Sequence, residues 1–268
     1  MFAAAALVVV ASATSQVVVG RTAFRAVALR AGATRSLTVS CPAGYVALSA
    51  GASRAGEGIK VLKARPVSPR AFEFKLANTG GLDQRVTVAT ACRKVRVAAR
   101  KGPFLKLAAR HHLTVRVAPF SSRQAGFTCP SGTVPAATGF DLGRRTVSLR
   151  QQTQDLHVVT FAAFNAGATE RTASFYVGCV TVVHPAGTRA AQLQVSLATD
   201  TVPLRTGSQV VTRLCPSGWL ALAAGYTVPG GVELNGAVAV GRTGRWSLTN
   251  PAQKPVLAQV QLACARVS

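Results

Sequence analysis

The side chains of this chain that could do chemistry are six cysteines, four histidines and eight carboxylates. Their spacing favours disulfide closure over metal binding or catalysis. Cys41 and Cys92 stand 51 positions apart, Cys129 and Cys179 stand 50, and Cys215 and Cys264 stand 49. Structural zinc sites need clustered ligands, commonly Cys-x-x-Cys, and no two cysteines come that close. His111, His112, His157 and His184 keep no fixed offset from a cysteine. The carboxylates are Glu57, Glu73, Asp83, Asp141, Asp155, Glu170, Asp200 and Glu233, and they form no motif with histidine. Gly-x-Ser-x-Gly, His-Glu-x-x-His and a phosphate loop are all missing. The sequence therefore reads as a non-enzyme without metal or cofactor, closed by three disulfides. Each such bond, closing a loop of about 50 residues, contributes about 4 kcal/mol in the chain-entropy picture. Disulfides of this kind persist in oxidising compartments.

The cysteines belong to a module written three times. Each first cysteine opens a Cys-Pro-x-Gly phrase, at Cys41-Pro42-Ala43-Gly44, Cys129-Pro130-Ser131-Gly132 and Cys215-Pro216-Ser217-Gly218. At matching offsets stand the glycines Gly51, Gly139 and Gly225, the aromatics Phe74, Phe161 and Trp246, and the asparagines Asn78, Asn165 and Asn250. Pro-x-Gly is turn chemistry, because proline presets φ and glycine accepts positive φ. The second glycine, ending an apolar strand, suits a turn or a bulge. The asparagine suits an Asx-turn; none of the three sits in a glycosylation acceptor. A ligand role for it is the competing reading.

The elements that must position these residues are strands. Apolar residues alternate at Val46 and Leu48, Val134 and Ala136, and Leu220 and Leu222, and again before each asparagine and each second cysteine. Period-two alternation marks strands with one buried face. About six strands fit each module of roughly 85 residues, which is the content of a small β-sandwich. The expected layout is a signal peptide over 1–13, followed by modules over 14–101, 102–187 and 188–268. The cysteine pair would tie an early strand to the last one. Residues 2–11 are apolar, and Ala11-Ser12-Ala13 follows as a small-residue cleavage pattern. No segment is long enough for a membrane span. A retained N-terminal strand that pairs with a neighbouring subunit is the alternative.

Charge is the one hint of a partner. The chain carries 31 Lys+Arg against 8 Asp+Glu. The densest stretch holds Arg93, Lys94, Arg96, Arg100, Lys101, Lys106, Arg110 and Arg116 and no acid. It predicts salt-dependent contact with an anionic cell-wall polymer or acidic polysaccharide. Compositional drift toward arginine is the competing explanation. Nucleic acid fits poorly, since the stretch has a single aromatic, Phe104, and lacks a row of stacking platforms. Trp219 falls out of phase with Leu220 and Leu222, so it is a candidate for sugar stacking or for packing against another module.

The Cys-Pro-[Ala/Ser]-Gly phrase, the apolar strand, the glycine, the aromatic-x3-Asn and the closing cysteine resemble repeat modules of secreted proteins from high-GC Gram-positive bacteria. The resemblance implies an all-β chain of three tandem immunoglobulin-like β-sandwich modules in an extracellular or envelope setting. It carries no ligand residues with it. The expected function is an extracellular or cell-surface scaffold that contacts anionic polymers through its basic first module and junction. A carbohydrate-binding or adhesive module and a self-associating filament subunit are the alternatives.

Overall fold

A computed structural model describes residues 17–54, 58–96, 104–184 and 192–267. Every regular element is a strand, and among the described residues no helix is long and apolar enough to cross a membrane. The first repeat supplies β1 (Val17–Leu29), β2 (Thr34–Ser40), β3 (Val46–Arg54), β4 (Ile59–Ser68), β5 (Ala71–Asn78) and β6 (Gln84–Arg96). The second supplies β7 (Phe104–Val117), β8 (Ser121–Thr128), β9 (Val134–Asp141), β10 (Val147–Gln154), β11 (Val158–Asn165) and β12 (Arg171–Val183). The third supplies β13 (Leu193–Leu204), β14 (Gly207–Leu214), β15 (Leu220–Thr227), β16 (Glu233–Val240), β17 (Thr243–Asn250) and β18 (Val256–Val267). The apolar segment read as a signal peptide lies outside the described residues.

All three expected disulfides are present, Cys41–Cys92, Cys129–Cys179 and Cys215–Cys264. Each joins the residue after a repeat's second strand to its sixth strand, and so links two different sheets. Within every repeat the first, sixth and third strands are neighbours, and so are the second, fifth and fourth. First strand thus pairs with last, and second with fifth. An immunoglobulin sandwich instead keeps its A and B strands in one sheet; here β1 and β2 lie in different sheets.

The recurring local features have local causes. Gly44, Gly132 and Gly218 sit at φ of 77°, 75° and 78°, a region that β-carbons disfavour. Asn165 is fully buried: its amide donates to the carbonyls of Val117, Ala118 and Thr169, and its Oδ1 accepts from Gly167 N at 2.9 Å. Asn78 and Asn250 repeat this Asx-turn and also hold the end of the first strand, through the carbonyls of Leu29 and Leu204. Phe74, Phe161 and Trp246 are completely buried.

The recurring glycines Gly51, Gly139 and Gly225 are different. None has positive φ and none makes a turn. Each lies where the fourth strand of another repeat crosses. A β-carbon on Gly139 would stand 2.4 Å from Ala64 O, and one on Gly225 2.6 Å from Gln152 O. One on Gly51 would fall on Ala237 O. These glycines therefore admit a neighbouring backbone.

Close approach joins the repeats. β4 pairs with β9 through Lys63↔Asp141 and Ala64↔Phe140, and β10 pairs with β15 through Gln151↔Thr227 and Gln152↔Tyr226. Two six-stranded sheets result, β2-β5-β4-β9-β12-β7 and β13-β18-β15-β10-β11-β8. At the third seam β16 packs on β3 without a ladder among the described residues, and Gly236 faces Ala52 O there as Gly51 faces Ala237 O. The three repeats thus close head to tail. One apolar cluster fills the first repeat, and a second is common to repeats two and three. A third, with Leu48, Ala136, Val180, Leu222 and Ala265, draws on all three repeats and seals the centre.

Candidate functional site

The structure breaks up the basic stretch. Arg93 is 1% exposed, wedged between the first and third repeats. Its guanidinium donates to Arg21 O at 3.3 Å and Cys92 O at 3.1 Å in its own repeat, and to Ala221 O at 2.5 Å and Gly241 O at 3.4 Å across the seam. Burial without a carboxylate pushes its pKa down to about 10. Arg93 is a structural stitch and does not reach solvent. The equivalent residues, Val180 and Ala265, are apolar and belong to the central cluster. Arg100, Lys101 and the side chain of Arg96 lie outside the described residues.

The remaining four divide again. Lys94 lies over the Tyr45 ring, 4.6 Å from its centroid. On β7, Lys106, Arg110 and Arg116 are all exposed. Ala108 is bulged, however, so Lys106 pairs with Thr181 while Arg110 pairs with Gly178 and Arg116 with Thr172. Residues opposite one another in a ladder share a face, and the inserted residue reverses alternation along the bulged strand. Lys106 therefore points to the opposite side of the sheet from Arg110 and Arg116.

What the fold assembles instead is the outer face of the first six-stranded sheet. Reading across the strands, Ser36, Lys75, Lys63, Asp141, Ser174 and Thr114 form one row. Next to it, Thr38, Glu73 and Arg65 are paired in the first repeat and Gly139, Tyr176 and His112 in the second, with Gly139 against the β4 backbone between them. Strands about 4.8 Å apart make this face roughly 24 Å wide. Lys63 bridges Asp141 at 3.2 Å and Glu73 at 3.6 Å, and Arg65 pairs with Glu73 at 2.8 Å. His112 stacks on Tyr176 with ring centroids 4.6 Å apart, and Arg65 approaches the same ring at 6.0 Å. The Tyr176 and Glu73 contacts, opposed by partial desolvation, raise the Arg65 pKa. Arg116 meets Glu170 at 3.9 Å. Lys75 and Arg110 have no ion pair among the described residues. The corresponding face of the second six-stranded sheet carries Gln124, Gln151, Thr227 and Gln259, with Gln124 donating to Gln151 at 3.2 Å. Position for position, Lys63 is replaced by Gln151 and Asp141 by Thr227. Charge marks the first sheet and neutral amides the second.

Trp219 is half-buried against the core of repeats two and three, with the Arg266 guanidinium 4.7 Å above its ring. It is the partner of Tyr45, which lies under Lys94. In the second repeat the same two positions hold Thr133 and Thr181, and the Thr181 hydroxyl donates to Gly132 O. The aromatic and the cation change together, a correlation visible in the sequence two residues after each closing cysteine. Trp219 packs here against the apolar cluster that repeats two and three share. Among the described residues no group of three His, Cys, Asp or Glu could hold a metal ion.

Neither a protein-family model nor a curated protein matches the chain. Among solved structures it is similar to a protein described under "The Triple Jelly Roll Fold and Turret Assembly in an Archaeal Virus", at 8% identity over 94% of this chain and 91% of that one, with a TM-score of 0.23. At that score the likeness carries no argument about fold or function.

Proposed function

We propose that the chain is a secreted, non-catalytic scaffold that contacts an anionic polymer through the outer face of its first six-stranded sheet. Three disulfides fit an extracellular protein. The winding of each repeat, 1-6-3 against 2-5-4, places first strand beside last and second beside fifth in two antiparallel layers. One observation carries the functional reading. The carboxylates on the face, Glu73 and Asp141, are already held by Lys63 and Arg65, which leaves Lys75 and Arg110 without ion-pair partners among the described residues. A cationic, hydrogen-bonding sheet suits an extended polyanion, with affinity that falls as salt rises.

The test is retention on immobilised polyphosphate and on immobilised hyaluronate across a salt gradient. The triple variant Lys75→Gln/Arg110→Gln/Arg116→Gln should elute at clearly lower salt than the parent. A control with the same loss of charge at Arg205, Arg213 and Arg245 on the third repeat should shift less. Equal shifts for the two variants would show that net charge alone is at work and would remove the site.

A further inference from the structure

A cavity of about 520 Å³ opens where the three repeats meet. The fourth strands β4, β10 and β16 line it, together with the ends of β3, β9 and β15. Each fourth strand carries a bulge at the same place, with Leu62, Arg150 and Asn235 as the extra residue. Bulges re-aim side chains, and these three positions have diverged within an otherwise repeated frame. The walls are mixed, apolar and polar in nearly equal measure, with the apolar side chains Val61, Leu149 and Leu234 at one equivalent level. Two residues before Ala50 and Ala224 on the same strands, Leu48 and Leu222 belong to the central apolar cluster. The outer end reaches solvent beside exposed Arg145, Thr146 and Glu233.

The ionisable lining is asymmetric. Lys60, Arg145 and Arg150 are cations, Glu233 is the only carboxylate among the described lining residues, and Tyr226 is a fully buried phenol. Arg150 donates to Val232 O at 2.7 Å, and Arg145 to Gly32 O at 2.7 Å and Thr34 Oγ1 at 3.0 Å. Lys60 reaches Arg145 O at 3.4 Å. All three cations are held by neutral oxygens, and no carboxylate lies within ion-pair distance of them among the described residues. We infer that the cavity binds an amphiphile with a single anionic head, its apolar body between β4, β10 and β16 and its head at Lys60 and Arg150. The volume lies within the range of small-ligand sites, which combine apolar walls with a few placed polar groups. This site is separate from the polymer-binding face and does not depend on it.

The test is calorimetric titration of the oxidised full chain with dodecanoate, dodecanol and dodecyltrimethylammonium, each below its micelle concentration and in moderate salt. Dodecanoate should bind once per chain and at least about tenfold more tightly than the cation, since hydrogen bonds to a charged group contribute about 1.5–3 kcal/mol. Lys60→Gln, a half-exposed position, should weaken dodecanoate by about tenfold and leave dodecanol unchanged. Val61→Trp, which places an indole between the fourth strands, should weaken both. Equal affinity for the anionic and cationic probes, or dodecanoate binding unchanged by Lys60→Gln, would overturn the assignment. The second result stands even if the tryptophan variant fails to fold. Added polyphosphate should not displace dodecanoate; displacement would place the amphiphile on the outer face and also overturn it.

Discussion

Replacing Gly139 by alanine isolates the contact that joins the first two repeats. The new β-carbon would stand 2.4 Å from Ala64 O, 2.9 Å from Arg65 Cα and 2.9 Å from Pro66 Cδ. Ordinary carbon contacts lie near 3.5 Å, so β4 must retreat by about 1 Å. The retreat falls on the narrow ladder of Lys63↔Asp141 and Ala64↔Phe140 and on the Leu142 N to Leu62 O bond at 2.8 Å. Overpacking costs about 1–3 kcal/mol, and each weakened hydrogen bond about 1 kcal/mol. The expected loss is about 3 kcal/mol, read from the urea midpoint of the oxidised protein. Backbone strain does not confuse the result, because Gly139 has no positive φ. The matched control is Gly126→Ala on β8, where the nearest atom to the new β-carbon is Val159 O at 3.9 Å. That variant should match or slightly exceed the parent, as alanine restricts the unfolded chain. Equal midpoints for Gly139→Ala and Gly126→Ala would refute the close-approach argument.

Other perturbations probe other levels of the structure. Asn165→Ala removes an amide that serves Val117 O, Ala118 O, Thr169 O and Gly167 N, and should lower stability by about 3 kcal/mol in urea unfolding. Arg93→Ala takes from Ala221 O its side-chain donor, leaves Gly241 O with the Ala221 N–H alone, and opens a void at the third seam. It should cost about 2–4 kcal/mol; an unchanged melting temperature would show that the stitch is dispensable. Removing Cys129 and Cys179 together should cost about 4 kcal/mol at most, in the order expected for a closed loop of this length.

What the sequence made legible was local. Cys-Pro-x-Gly acts within four residues, so turn chemistry and the positive φ of Gly44, Gly132 and Gly218 could be read directly. The Asx-turns at Asn78, Asn165 and Asn250 are equally short-range, and period-two alternation exposed the strands. What stayed hidden depends on partners far along the chain. The turn-or-bulge reading of Gly51, Gly139 and Gly225 fails because their reason for being glycine is another repeat's backbone. The basic stretch looked continuous, yet the bulge at Ala108 sends Lys106 to the other side from Arg110, and Arg93 is drawn inward by carbonyls 128 and 148 positions away. Lys63, Arg65 and Lys75 carried no signal of their own until β4 was paired with β9.

These contacts also change how the repeat is understood. Three similar modules on a string would each expose the faces that the central cluster buries, including Leu48, Leu222 and Val180. Closure gives those faces partners and creates at the same time a broad charged sheet spanning two repeats and a cavity shared by all three. Neither exists in a single repeat, so both candidate binding surfaces depend on the seams.

Small-angle X-ray scattering of the oxidised, monomeric protein tests that closure most directly. A single compact body of this length should have a radius of gyration of about 18–20 Å. Three separate modules in a row would give about 25 Å or more by the same scaling, and that value would contradict the closed arrangement of repeats.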